Sequence, residues 1–167
     1  MTLEERVQQL EDDRAIRDLK AQYLRACDGK NPAGVRETLH PERAIINYEG
    51  FPPFDNRDDF VAIYQQFGCQ PGIFDMHHAA NGVISFDGPA RATGQWALYF
   101  HNINLAARSL TQFGVQYDDV YVKEEGRWWI AETRSRRTSC LIQSVDEAGQ
   151  ATVSVMGDAP EAFGAAN

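Results

Sequence analysis

The apolar residues of this chain change period part-way along it, and that change limits the folds open to it. Near the N-terminus they recur at helical steps: Leu3, Val7, Leu10, Ile16, Leu19, Tyr23 and Cys27 keep near one stripe. From Met76 onward they alternate with a period of two, in long runs joined by short turns. Helices followed by a meander of long strands predict an α+β fold, with helices packed on one face of a strongly curved mixed or antiparallel sheet. A sheet rolled around a helix leaves an apolar pocket at its open end.

Local signals set the boundaries. Thr2 and Glu5 have capping-box spacing, and Gly29 stops the long helix, which leaves Asp28 at its end. Asn31-Pro32 opens a shorter helix through Leu39. Ala44 to Tyr48 reads as a strand, and 49–55 as a loop of Gly, Phe and Pro. A helix then runs from Arg57 to about Phe67, with Phe60, Ile63, Tyr64 and Phe67 on one face. The long strands are expected from Met76 to Phe86, Arg91 to Ile103, Val115 to Val122 and Arg127 to Cys140. Asp87-Gly88-Pro89 and Glu124-Glu125-Gly126 supply the hairpin turns. One domain therefore spans 1–142, and 143–167 reads as a loosely held tail with at most a short strand at Ala151 to Val155.

Composition excludes several classes of function. There are 16 Lys plus Arg against 24 Asp plus Glu in 167 residues, a net charge of −8, which speaks against a nucleic-acid partner. No apolar run approaches the ~20 residues of a membrane span, and the acidic start MTLEERVQQLEDD is unlike a signal peptide, so a cytoplasmic protein is expected. Cys27, Cys69 and Cys140 form no C-x-x-C pair and read as reduced, mostly buried thiols. Gly-x-Gly and G-x-S-x-G patterns are absent, so neither a phosphate cradle nor a hydrolase elbow is expected.

Four histidines carry the candidate chemistry. His77 and His78 are adjacent in a strand, so one faces the interior and the other faces out. His101 lies on the neighbouring strand, and His40 reads as an exposed loop residue. No H-x-H or H-x-x-x-H spacing is present, so no metal and no cofactor are expected. Tyr23 and Asp28 are placed to share the cavity mouth with an interior histidine. Base, carboxylate orienter and phenol donor together suit proton abstraction next to a carbonyl. Alternation puts Arg137 on the face of Thr133, opposite Arg134 and Arg136, where it could pin a polar substrate end. Trp96 and Phe54 read as cavity lining for a flat apolar ligand.

Three segments, LEDDRAIRDLKAQYLRACDGK, MHHAANGVISFDGPARATGQW and QYDDVYVKEEGRWWIAETRSRR, together resemble SnoaL-like members of the nuclear-transport-factor-2-like superfamily. Within it, AIRDLKAQYLRACDGK and ATGQW are most similar to bile-acid 7α-dehydratases. The resemblance implies a cone of curved sheet closed by helices, and a homodimer or homotrimer. It places a catalytic tyrosine and aspartate on Tyr23 and Asp28, a catalytic histidine on His77 and a substrate arginine on Arg137. The dehydratases' second aspartate falls on Phe100, which departs from their pattern. His101, next to it, resembles the second histidine of scytalone dehydratases, although alternation with Trp96 and Phe100 turns it outward unless a bulge intervenes. The expected function is a cofactor-independent lyase or isomerase acting on a small hydrophobic, steroid-like carbonyl compound. The alternative is a non-catalytic binding or assembly subunit on the same fold.

Overall fold

The structure, a computed structural model, describes residues 1–158. Three helices cover a six-stranded mixed sheet, in the order α1 (Leu3–Asp28), α2 (Pro32–Arg36), β1 (Ile45–Tyr48), α3 (Arg57–Gly68), β2 (Ile73–Phe86), β3 (Arg91–Asn104), β4 (Ser109–Glu124), β5 (Arg127–Val145) and β6 (Ala151–Gly157). This is the curved, unclosed α+β cone expected from the order of elements. No helix among the described residues is long and apolar enough to cross a membrane.

α1 starts on the capping box: the Glu5 N–H donates to Thr2 Oγ1 at 3.1 Å, and the Thr2 N–H donates to Glu5 Oε2 at 2.7 Å. Its stripe is buried only from Asp12 onward, through Ile16, Leu19, Lys20, Tyr23, Leu24 and Cys27. Leu3, Val7 and Leu10 stay exposed, because 26 residues make a helix of about 39 Å that overruns the sheet it packs on. α2 ends at Arg36 rather than Leu39. There the chain joins the sheet instead, with Thr38 and His40 exchanging backbone hydrogen bonds with Ile130.

The sheet order is β1-β5-β4-β3-β2, antiparallel except for β1, which runs parallel to β5. β5 is long enough to pair β1 over Glu132–Ser135 and β6 over Cys140–Val145 along the same edge. Residues expected to begin the tail therefore extend β5, and Ala151–Gly157 covers an edge that would otherwise be open. The rest of that tail, 159–167, lies outside the described residues. Among the described residues β2 is the free edge, beside α1.

Inward positions alternate along each strand, as in Ala92, Gly94, Trp96 and Leu98 of β3 and Thr111, Phe113, Val115, Tyr117, Asp119 and Tyr121 of β4. Register shifts at Gly114/Val115 and Val120/Tyr121 mark the bends of the long strands. β4 begins at Ser109, ahead of the expected Val115; with Thr111 inward and Leu110 outward, polarity does not alternate with the faces at its start. His40 is a correction to the sequence reading, being 1% exposed. Its Nδ1 accepts the Glu42 and Arg43 N–H groups, each at 3.1 Å. The remaining hydrogen then sits on Nε2 and reaches Glu124 at 3.1 Å.

Candidate active site

Asp28 and His77 meet where the C-terminal end of α1 crosses the free edge of the sheet. An edge strand turns alternate N–H groups away from its only neighbour. The His77 N–H does so and donates to the Asp28 carboxylate, at 3.1 Å to Oδ1 and 3.2 Å to Oδ2. The ring follows, with Nδ1–H donating to Oδ1 at 2.6 Å. A carboxylate only accepts, so the hydrogen lies on Nδ1 and the neutral ring presents a lone pair at Nε2. Nε2 has no hydrogen-bond partner among the described residues. The pair remains reachable, with side chains 15% and 30% exposed for His77 and Asp28. Alternation turns His78 outward, where it is exposed.

From His77 an aromatic wall crosses the strands. The Phe100 ring lies 4.8 Å from the imidazole and stacks on Phe113 at 5.9 Å, 16° from parallel. The Arg137 guanidinium sits 5.5 Å over the far side of this wall, on Phe113. Arg137 is held through its backbone N–H, which donates to Glu49 at 2.5 Å. Gly50 gives the guanidinium room: its φ is +89°, and a Cβ there would stand 2.9 Å from Arg137 Nη2. The loop that reads as Gly, Phe and Pro in sequence thus serves to seat one arginine.

The other expected site residues divide differently. Phe54 bridges to Ile46 and packs edge-on to Phe60 at 5.6 Å, in a cluster with Tyr48. Trp96 is 7% exposed and donates to the Tyr121 hydroxyl at 3.1 Å. Tyr23 is 2% exposed and its hydroxyl meets that of Tyr48 at 2.6 Å. No hydrogen bond among the described residues links Tyr23 to Asp28 or His77, so the three expected groups form a dyad and a separate phenol pair. Burial, then the neighbouring Tyr48, pushes the Tyr23 phenol well above its ordinary pKa, so it keeps its proton. His101 is corrected to the outer face: it pairs across from Met76 and Gln112, and no bulge falls between Trp96 and His101 to turn it inward.

Two groups escaped the sequence reading. Asp75 is one inward step before His77, accepts from Asn102 Nδ2 at 2.6 Å and pairs with Lys30. Counting by twos from His77 would have found it. Lys20 forms a 2.8 Å ion pair with Asp119 inside the cone, its Nζ 3.8 Å over the Tyr117 ring. Its place four residues after Ile16 and four before Leu24, on the buried stripe, was the available signal. Among the described residues no three His, Cys, Asp or Glu side chains are grouped to hold a metal ion.

The fold is thus a curved sheet covered by helices, with a carboxylate–imidazole pair at its rim. The chain belongs to the SnoaL-like domain family, whose sequence profile matches residues 8–134. Among solved structures it is similar to a protein from Novosphingobium aromaticivorans provisionally named a scytalone dehydratase, with a TM-score of 0.73, 20% identity, and 96% of this chain and 98% of that one covered. It is also similar to the type 3 hexachlorocyclohexane dehydrochlorinase LinA of Novosphingobium barchaimii, with a TM-score of 0.72, 13% identity and coverage of 92% and 99%. A type 2 LinA gives 0.72, 14%, and 94% and 99%. These likenesses establish the fold.

Proposed function

We propose that the protein is a cofactor-independent lyase of dehydratase type, or an isomerase, acting on a hydrophobic, polycyclic or steroid-like carbonyl compound. The observation that carries this reading is the 2.6 Å bond from His77 to Asp28, which leaves Nε2 as an open base at the head of an aromatic wall. The names of the similar solved structures, a dehydratase and dehydrochlorinases, both denote eliminations and support the lyase form.

In the proposed step Nε2 removes a proton from the carbon next to the carbonyl. The C–H electron pair becomes the new C=C bond and expels hydroxide from the adjacent carbon. The imidazolium returns the proton to that hydroxide, so water leaves and the base is restored. Asp28 keeps the ring oriented and offsets its positive charge in mid-reaction. Tyr23 and Tyr48, both held protonated by burial, supply a hydrogen bond toward the substrate oxygen as negative charge develops on it. Arg137 holds a polar substituent at the far end of the wall.

Exchange of α-hydrogens for deuterium in 2-tetralone, followed by NMR in heavy water, tests the first step without a known leaving group. The protein should accelerate exchange over buffer, and His77→Ala should lower that acceleration by about 10²- to 10⁴-fold. Tyr23→Phe should lower it as well. Exchange at the buffer rate with wild type, or at an unchanged rate with His77→Ala, would remove the mechanism.

A further inference from the structure

Side-chain hydrogen bonds tie α1 to β2 at two points, with a cleft between them. At one end Asp28 holds the His77 N–H; at the other Arg17 Nη1 donates to the Gly82 carbonyl at 3.2 Å. Arg17, Ala21, Leu24 and Asp28 follow at helical spacing, so the seam lies along one stripe of α1. Midway the helix carries Ala21 and the strand carries Ala79, and two small side chains leave a cleft of about 420 Å³ that runs up to His77. Leu24 and the edge of Trp96 give it an apolar wall.

Its polar groups point to one kind of occupant. Ala79 lies two residues beyond His77 on the same free edge, so its N–H also faces α1. Arg17 is committed to Asp13, at 2.6 and 3.2 Å, and Lys20 to Asp119. The Arg25 side chain is exposed, and no hydrogen bond or ion pair joins its guanidinium to a described residue. In a chain of net charge −8, a guanidinium without a carboxylate beside an apolar cleft and an open strand edge is complementary to an anion carried on an apolar body.

We propose that the α1–β2 cleft binds a small aromatic or alicyclic carboxylic acid, its carboxylate on Arg25 and the Ala79 N–H and its body on Leu24 and Trp96. This site borders His77 but needs none of its chemistry. Titration of the labelled protein with 2-naphthoate, followed by amide and indole NMR, should shift Ala79, Leu24 and the Trp96 Nε1–H together. 2-Acetylnaphthalene, of similar shape and without charge, should bind at least about tenfold more weakly, and Arg25→Ala should cost naphthoate a similar factor. Ala21→Leu, a change on an exposed helix position, should fill the cleft and abolish the shifts while leaving the fold and the His77-dependent exchange of 2-tetralone intact. His77→Ala should still bind naphthoate, which separates this site from the proposed reaction. Shifts elsewhere than the seam, equal binding of the neutral analogue, or full affinity in Arg25→Ala or Ala21→Leu would overturn the proposal.

Discussion

Lys20 and Asp119 are 1% and 0% exposed, and each needs the other. Burial pulls the Lys20 ammonium below its ordinary pKa, while Asp119 works in the opposite direction. Removing one partner leaves a lone buried charge, so Asp119→Asn should cost about 3–5 kcal/mol in urea unfolding. Lys20→Met with Asp119→Leu should cost far less than the single change. His40 sets the acid limit of stability in a similar way. Burial, and then Arg43, hold it below its ordinary value of 6.5, with Glu42 opposing, so between those values the unfolded chain binds the extra proton. Stability should therefore fall as pH drops through about 6.5 and level off below the folded value. His40→Gln should flatten that slope in urea midpoints measured across the range. Stripe spacing offered a signal for Lys20, between Ile16 and Leu24, but nothing comparable marks His40 as buried. A lysine and a histidine look like surface residues until the partner that neutralises them is placed, and here the partners lie far away in the chain.

At the scale of elements, what was legible was periodic. Alternation through Trp96 and Phe100 places both inward and assigns Arg137 to the face of Thr133, where the aromatic wall forms. The Glu125-Gly126 turn has φ of +51° and +79°, left-handed at both positions as a two-residue hairpin requires, with Gly126 at the second. Where one element crosses another, periodicity had nothing to say. Tyr23 is bonded to Tyr48 rather than to the dyad because β1 runs parallel beside β5 and brings Tyr48 beneath α1. Gly82 belongs to the same class. A Cβ there would stand 2.3 Å from the Trp96 ring, so Gly82→Ala should destabilise the chain by about 1–3 kcal/mol in thermal or urea unfolding. It should also displace Trp96 from the wall of the cleft.

At the scale of the whole molecule, the described residues leave one face of the sheet uncovered. Phe74, Met76, Tyr99 and Ile103 stand out from the outer face of β2 and β3, between 36% and 57% exposed, and monomers seldom leave so continuous an apolar patch in water. The homodimer or homotrimer expected from the sequence would bury it. Light scattering behind size exclusion should give a mass of two or three chains, and Tyr99→Lys should shift it toward one. A monomer in wild type would assign the patch to another partner.

The cone, the free edge of β2 and the end of α1 together fix one proton, the hydrogen on His77 Nδ1. Nitrogen-15 NMR of labelled histidine, with the ring neutral, reads that proton directly. The account predicts the Nδ1–H tautomer for His77, lost or exchanging in Asp28→Ala. A hydrogen resident on Nε2 in the wild-type protein would leave no base facing the aromatic wall and would contradict the account at its centre.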